Sequence, residues 1–184
     1  DYVLQNNLRV PIMCYAKEIL RAEGRSVGRF DSRITGIDKD DASETFERDP
    51  SFDVVQGVYS ACLNDYVRRE LKFESDLPYE ILSFKVLPKW KYDEFQNNFV
   101  NVAETLRGAM MKNPHLKLFV ANGIYDMATP FYATEYTINH LGLRDGVNEN
   151  VTMAYYGAGH MMYTHKPSLR SLATDLKKFI KRAS

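Results

Sequence analysis

Apolar residues in the first part of the chain recur at the three- and four-residue spacing of a helix. The first such stretch lies between Pro11, which suits the first turn of a helix, and Gly24, which suits its end. Two more helices are predicted over about residues 52–71 and 99–112, and the polar stretch 25–47 is predicted to be a loop. This part of the chain is therefore predicted to be mainly helical.

The hydrophobic pattern changes in the rest of the chain. Residues 116–121 and 151–156 are short apolar runs, which are typical of buried parallel strands. A helix opened by Pro130 is predicted between them, and a last helix is predicted to follow the second strand. Two strands joined by a crossover helix are nearly always parallel. The predicted fold class is therefore α/β, with a mainly helical region at 1–115 and a βαβα unit at 116–184.

The predicted sheet is incomplete, because two strands cannot bury both of their faces and the chain supplies no further convincing strand. Strand 116–121 then lacks its inner neighbour, and unpaired backbone groups lie along an apolar edge. We expect the chain to hide this edge by self-association into a homo-oligomer, by pairing with a missing segment, or by rearrangement.

Composition excludes some classes of partner. The 24 basic and 24 acidic side chains give a formal net charge of zero, so neither nucleic acid nor an anionic membrane surface is a predicted partner. The basic residues at 177–182 lie at the end of the last predicted helix, where cations complement the helix dipole. The longest apolar stretches are far too short to span a bilayer. Cys14 and Cys62 lie among apolar residues in helix-like segments. Buried free thiols are favoured there, with a disulfide as the alternative if the protein is exported.

Two sets of residues resemble metal ligands only superficially. The acidic cluster Asp38, Asp40 and Asp41 lacks the glycine and the terminal glutamate of a calcium loop, which favours a solvated loop. His160 and His165 have no clear third ligand for zinc. Neither a metal nor an organic cofactor is therefore predicted.

An acid and an imidazole follow the two predicted strands. Asp126 comes shortly after the first strand and His160 shortly after the second. Neighbouring strands lie about 4.8 Å apart, and functional groups gather beyond the carboxyl ends of parallel strands, so the two side chains are expected to come within hydrogen-bond reach. Such a pair forms the orienting acid and the base of a nucleophilic triad. The alternative is that Asp126 caps a helix or turn and that His160 is an ordinary loop residue.

The segments around this pair resemble a known family. Residues 116–130, Leu-Lys-Leu-Phe-Val-Ala-Asn-Gly-Ile-Tyr-Asp-Met-Ala-Thr-Pro, resemble the segment around the triad aspartate of serine carboxypeptidases, particularly the bacterial ones, and Gly-Ala-Gly-His-Met-Met at 157–162 resembles the segment around their histidine. Residues 28–36 and 64–70 also resemble that family. The resemblance implies an α/β-hydrolase fold in which Asp126 orients the general base His160. It also implies that the first half is the helical insertion that covers the site.

The chain departs from this family in lacking the nucleophile. These hydrolases order their triad as Ser, Asp and His, with the serine in a G-x-S-x-G-like elbow. No serine before Asp126 has glycine two residues away on both sides; these are Ser26, Ser32, Ser43, Ser51, Ser60, Ser75 and Ser83. The resemblance also places the oxyanion-hole donors and the residues that bind the substrate carboxylate further upstream. We therefore expect the C-terminal part of a carboxypeptidase, inactive alone, whose partners are its missing N-terminal part and a peptide substrate.

Further expectations follow from the resemblance. Met161 is next to His160, and the resemblance implies that it lines the substrate pocket, with core packing as the alternative. Tyr132 follows the acid in the predicted helix, where helix packing is favoured and a place in the substrate pocket is the alternative. A secreted or periplasmic location is favoured, although the sequence itself leaves it open. Two other functions stay in view: a non-catalytic interaction module in which Asp126 and His160 are remnants, and an esterase or lipase of the same fold.

Overall fold

The computed structural model describes residues 1–40, 42–79, 81, 83, 85–95 and 99–183. Two compact units are present: one contains Asp1–Ser51 and Val102–Ser184, and the other contains Phe52–Asn101. The boundary predicted at residue 115, between a cap region and a core portion, stays a prediction.

The described residues form six α-helices and four strands in addition to short 3-10 turns. The helices are α1 (Tyr2–Gln5), α2 (Ile12–Glu18), α3 (Pro50–Arg69), α4 (Ala103–Lys112), α5 (Phe131–Asn139) and α6 (Lys166–Ala183). The strands are β1 (Ser26–Val27), β2 (Thr35–Gly36), β3 (Leu118–Gly123) and β4 (Val151–Tyr156). Helix, including the 3-10 turns, makes up 47% and strand 9% of the described residues, which is a mixed fold compatible with the predicted α/β class. Among the described helices, none has the length and apolar character needed to cross a membrane.

The two predicted strands pair in parallel, as the sequence predicts. Their register runs from Leu118 opposite Val151 to Gly123 opposite Tyr156, so both strands end at the same level. Among the residues that the structure describes, β4 is the one strand neighbour of β3. The outer edge of β3 is thus available to another strand.

Helix α6 packs on this pair of strands through part of its apolar face. The rings of Phe119 on β3 and Phe179 on α6 lie 5.3 Å apart, and the buried Tyr156 donates its hydroxyl to Asp175 of α6 at 3.2 Å. The densest part of the core lies where β4 leaves the sheet, and its members are Ala154, Tyr156, Ala158, Met162 and Leu172. This small core fixes the backbone immediately before and after the turn at residues 157–160.

The predicted polar loop at 25–47 contains a short hairpin and folds against a buried lysine of α2. Strands β1 and β2 pair antiparallel, with Ser26 opposite Gly36. Lys17 of α2 is 2% exposed, and its ammonium donates to the carbonyls of Asp40 and Thr45, at 2.6 and 2.9 Å, and to the Ser43 hydroxyl at 2.6 Å.

The Asp38 carboxylate completes the surroundings of Lys17. Its Oδ2 lies 2.9 Å from the Lys17 ammonium, and its side chain is 3% exposed. The Asp38 carboxylate thus faces an internal lysine rather than solvent, which corrects the expectation of a solvated loop for this residue, whereas Asp40 is exposed as expected. Asp41, the third member of that cluster, lies outside the described residues.

The expectation of two buried thiols is wrong for one of the cysteines. Both are free, but Cys14 is half-buried and Cys62 is exposed. Cys62 lies on the face of α3 that also carries the exposed Val58 and Tyr66. Apolar spacing along α3 therefore did not indicate burial within its own unit.

Candidate functional site

The site is formed by the two turns that follow β3 and β4. The pairing of the strands continues into the turns, because the Ile124 N–H donates to the Tyr156 carbonyl and the Tyr125 N–H donates to the Ala158 carbonyl, both at 3.0 Å. Asp126 comes next on one turn and His160 on the other. Parallel pairing with the ends level therefore delivers both side chains to one place.

Asp126 and His160 form a direct hydrogen bond. His160 Nδ1 lies 2.8 Å from Asp126 Oδ2. The Asp126 side chain is 4% exposed, whereas that of His160 is 41% exposed. An ionised carboxylate accepts hydrogen bonds and cannot donate them, so Nδ1 carries the proton of the neutral ring and Nε2 keeps a lone pair.

The carboxylate of Asp126 is held by its own turn. Its Oδ1 accepts hydrogen bonds from the backbone N–H groups of Ala128, at 2.8 Å, and Thr129, at 3.0 Å. The Thr129 hydroxyl donates to Oδ2 at 2.7 Å and also lies 3.2 Å from His160 Nδ1. Asp126 therefore caps a turn and orients the imidazole at once, so the two sequence interpretations of this residue are compatible. The part played by Thr129 has no signal in the sequence beyond its closeness to Asp126.

The geometry provides an oriented base. Within the described part of the chain, Nε2 of His160 takes part in no hydrogen bond, and the ring is partly open to solvent. A neutral imidazole whose Nδ1–H is held by a buried carboxylate can accept a proton at Nε2 and is stabilised once it is charged. The arrangement is therefore suited to general-base chemistry at Nε2.

A segment from the first part of the chain contacts both turns, and the sequence did not predict it. The His160 N–H donates to the Phe30 carbonyl at 2.6 Å, and the rings of these two residues lie 5.4 Å apart. The Met127 N–H donates to the Arg29 carbonyl, and the Ser32 N–H donates to the Tyr125 carbonyl, both at 3.0 Å. We call residues 29–33 the brace.

Two charged side chains of the brace bind the histidine turn. Asp31 Oδ2 accepts the Gly159 N–H at 3.1 Å, and the Arg33 guanidinium donates to the Gly157 carbonyl at 2.8 Å. The Asp31 and Arg33 side chains also pair with each other, with Nη2 and Oδ2 2.7 Å apart. Burial raises the pKa of Asp31, but the hydrogen bonds and charge of Arg33 and the Gly159 N–H outweigh it, so this pKa lies below its usual value.

Two glycines allow the turns to approach this closely. A Cβ on Gly159 would lie 2.6 Å from the Asp31 Cβ, and a Cβ on Gly123 would lie 2.6 Å from the Gly159 carbonyl carbon. Real Cβ atoms do not approach neighbours so closely. At Gly159 the close approach of the brace is therefore the structural reason for a glycine.

Gly159→Ala is expected to lower the free energy of unfolding by about 1–3 kcal/mol, because the new methyl group must displace the brace backbone. Gly108→Ala is the matched control. Gly108 lies in α4, where a Cβ would meet no atom within 4 Å, and alanine is expected to stabilise a helix by about 0.5–1 kcal/mol there. Urea unfolding of the three proteins measures both changes. A Gly159→Ala variant as stable as the parent would contradict the close packing of turn and brace.

The two predicted pocket residues have different surroundings. Met161 is half-buried directly after His160, and its carbonyl accepts the Thr164 N–H at 2.9 Å. Tyr132 is 72% exposed, and its ring stacks on Phe131 with centroids 4.3 Å apart. A role of either residue in lining a substrate pocket stays a prediction.

No metal centre is formed by the described residues. In that part of the chain, no group of three or more histidine, cysteine, aspartate or glutamate side chains could hold an ion. His165, the second histidine of the rejected zinc pair, lies with its Nδ1 2.8 Å from the Ser168 hydroxyl.

Comparison with known proteins gives no relative. No family model, no curated protein and no solved structure matches this chain. The geometry of the site and the sequence resemblance are therefore the grounds for a functional proposal.

Proposed function

We propose that this chain is the C-terminal part of a serine carboxypeptidase with an α/β-hydrolase fold, and that it supplies the acid and the base of a catalytic triad. The observation that carries the proposal is the 2.8 Å contact between Asp126 Oδ2 and His160 Nδ1 on turns that follow adjacent parallel strands. The nucleophilic serine and the oxyanion donors come from outside these 184 residues.

The proposed reaction uses His160 twice. Nε2 of His160 takes the proton of the serine hydroxyl as the serine oxygen attacks the last peptide carbonyl of the substrate. The imidazolium then gives that proton to the departing nitrogen, which releases the C-terminal amino acid and leaves an acyl-enzyme. Water attacks the ester with its proton passing to Nε2, and the proton returns to the serine oxygen when the shortened peptide leaves. Asp126 stabilises the imidazolium each time it forms. The proposed reaction uses no cofactor.

Several parts of the proposal concern the complete protein. Residues 1–115 are proposed to belong to a cap over the site and residues 116–184 to the core. Met161 and Tyr132 are proposed to line the pocket for the peptide. The missing N-terminal part is proposed to pair with the open edge of β3, and homo-oligomers through that edge are the alternative when the part is absent. A secreted or periplasmic location is proposed from the family resemblance alone.

Active-site labelling tests this proposal. A fluorophosphonate, which phosphonylates activated serines, is expected to leave the 184-residue chain unlabelled and to label the product of the complete reading frame. That product is expected to hydrolyse N-blocked dipeptides in preference to short esters. His160→Gln is expected to abolish its labelling, whereas the exposed His115, replaced in the same way, serves as the control.

Each contrary result removes a defined part of the proposal. Labelling of the chain alone shows that the nucleophile lies within it. Hydrolysis of esters without dipeptides indicates an esterase or lipase. A complete reading frame with no G-x-S-x-G elbow and no labelling indicates a non-catalytic module that retains Asp126 and His160 as remnants.

A further inference from the structure

The turn that carries His160 has four polar backbone contacts beyond its own strand. The Gly157 carbonyl binds Arg33, the Gly159 N–H binds Asp31, and the His160 N–H binds the Phe30 carbonyl. The fourth contact joins the Ala158 carbonyl to the Tyr125 N–H on the acid turn. Three of the four contacts are therefore made by the brace, and each fixes a different peptide group of a turn that contains two flexible glycines.

We propose that Asp31, Arg33 and Phe30 are positioning residues that hold the His160 ring in register with Asp126. The catalytic meaning of this inference rests on the proposed function, but the positioning itself does not. Asp31 and Arg33 act on the backbone of the turn, and Phe30 acts on the backbone and the ring of His160. None of these three side chains hydrogen-bonds to the ring nitrogens in the described structure.

The chemistry of the contacts supports a firm attachment of the histidine turn to the brace. The bonds from Gly159 N–H to Asp31 and from Arg33 to the Gly157 carbonyl each involve an ionised partner, and such bonds are shorter and stronger than neutral ones. Arg33 donates to both Asp31 oxygens, since Nε lies 2.9 Å from Oδ1 and Nη2 lies 2.7 Å from Oδ2. This bidentate pair fixes the Asp31 and Arg33 side chains relative to each other.

The brace is itself anchored from the side away from His160. The Phe30 N–H donates to the Ser51 hydroxyl at 2.9 Å, and the Arg29 N–H donates to the Asp49 carboxylate at 3.1 Å. Ser51 is 1% exposed, and its hydroxyl also donates to Asp49 Oδ1 at 2.5 Å. Phe30 is thus held through its N–H on one side and holds His160 through its carbonyl on the other.

The orientation of His160 is sensitive to this support because its own turn has little else to fix it. The side chain of His160 is 41% exposed, whereas the Asp126 carboxylate is held by three donors of its own turn. The brace also binds the backbone of Tyr125 and Met127 on either side of Asp126, so the test variants change Asp31 and Arg33, whose side chains bind the histidine turn. Loss of these two side-chain contacts is expected to move the base more than the acid. Displacements of about 1 Å in an active site lower rates by about 100-fold.

Asp31→Asn is the main test, because it keeps the shape of the side chain and removes the charge. In the ¹⁵N-labelled 184-residue chain, we expect faster amide exchange at Gly159 and His160 by at least about tenfold, together with changed ring ¹⁵N shifts of His160. Asp65→Asn is the matched control, since Asp65 forms an exposed ion pair with Arg69 at 2.8 Å. It is expected to leave both signals unchanged.

Three further variants separate positioning from simple loss of folding. Arg33→Gln keeps the Asp31 carboxylate and is expected to give a smaller change at Gly159, and Arg33→Lys is expected to restore part of it. Asp126→Asn is expected to change the ring shifts of His160 while the Gly159 amide stays protected, because the acid lies on the other turn. Unchanged exchange and ring shifts in both Asp31→Asn and Arg33→Gln would overturn the positioning role.

Activity of the complete enzyme gives the second readout. Asp31→Asn is expected to lower kcat by about 10- to 100-fold with KM changed less than about threefold, since a displaced base weakens the transition state and leaves substrate binding intact. If the complete protein has no hydrolase activity, the proposed function fails and the exchange result still decides the positioning. If the complete protein is active, an unchanged kcat in Asp31→Asn would contradict the positioning role of the brace.

Discussion

Under the proposed function, Asp126→Asn is expected to lower kcat of the complete protein by about 10⁴-fold, because it reverses the tautomer of His160. The Asp126 carboxylate lies 2.8 Å from Nδ1 and accepts a hydrogen bond from its N–H. A carboxamide whose NH₂ faces Nδ1 donates instead, so the ring must carry its proton on Nε2. The nitrogen that faces the nucleophile is then occupied and cannot act as a base.

The test combines kinetics with the state of the ring. Hydrolysis of an N-blocked dipeptide gives kcat, and ¹⁵N shifts of the labelled chain give the tautomer directly. Asp175→Asn is a suitable control, since Asp175 is a carboxylate of α6 that accepts the Tyr156 hydroxyl and lies outside the site. An Asp126→Asn enzyme with kcat within about tenfold of the parent would remove Asp126 from the mechanism.

Lys17→Met is expected to lower the free energy of unfolding by about 3–5 kcal/mol, because it leaves the buried Asp38 carboxylate without its countercharge. It also removes one donor from the carbonyls of Asp40 and Thr45, which the Ser43 hydroxyl contacts as well. Urea unfolding at neutral pH measures the change. Arg69→Met breaks an exposed pair with Asp65 and is expected to change stability by less than about 1 kcal/mol.

The partner of Lys17 gives this prediction a pH dependence. Burial raises the pKa of Asp38, but contact with Lys17 and the N–H groups of Glu47 and Lys39 outweigh it, so the pKa lies below its usual value. Stability from Asp38 is therefore complete above its unfolded pKa and is lost as the pH falls through the folded value. In Lys17→Met the loss on acidification is expected to shrink. An equal loss in parent and variant would show that the pair does not contribute.

The sequence predicted the half of the site that depends on local pattern. The apolar runs predicted β3 and β4, their crossover predicted parallel pairing, and the residues after the strands predicted which side chains meet. Each step uses information within a few residues or a general rule of topology. The hydrogen bond between Asp126 and His160 then follows from two turns of similar length at one edge.

The brace could not be predicted in this way. Its contacts with the histidine turn span more than a hundred residues, and two of the three groups that it binds are carbonyls or N–H groups of glycines. Such groups carry no residue-specific signal, and strands β1 and β2 are too short to show alternation. Asp31 and Arg33 in a polar stretch are typical of a solvated turn until the backbone shows what they bind.

Helix α6 shows the limit of apolar spacing as a guide to burial. The apolar residues at helical spacing along it include Phe179, which packs on Phe119, but also Leu169 and Ile180, which are 43% and 62% exposed. Helical spacing defines a face without stating how much of it a neighbour covers. The exposed part of this apolar face could pack against a segment outside the described residues.

The open edge of β3 has a consequence for how an active protein would be assembled. Acid, base and brace lie within one unit of this chain, so under the proposed function the missing part has to supply the serine and the oxyanion donors to a base that is already oriented. If that function holds, two polypeptides produced separately are expected to recover turnover on mixing, at a rate set by their encounter rather than by refolding.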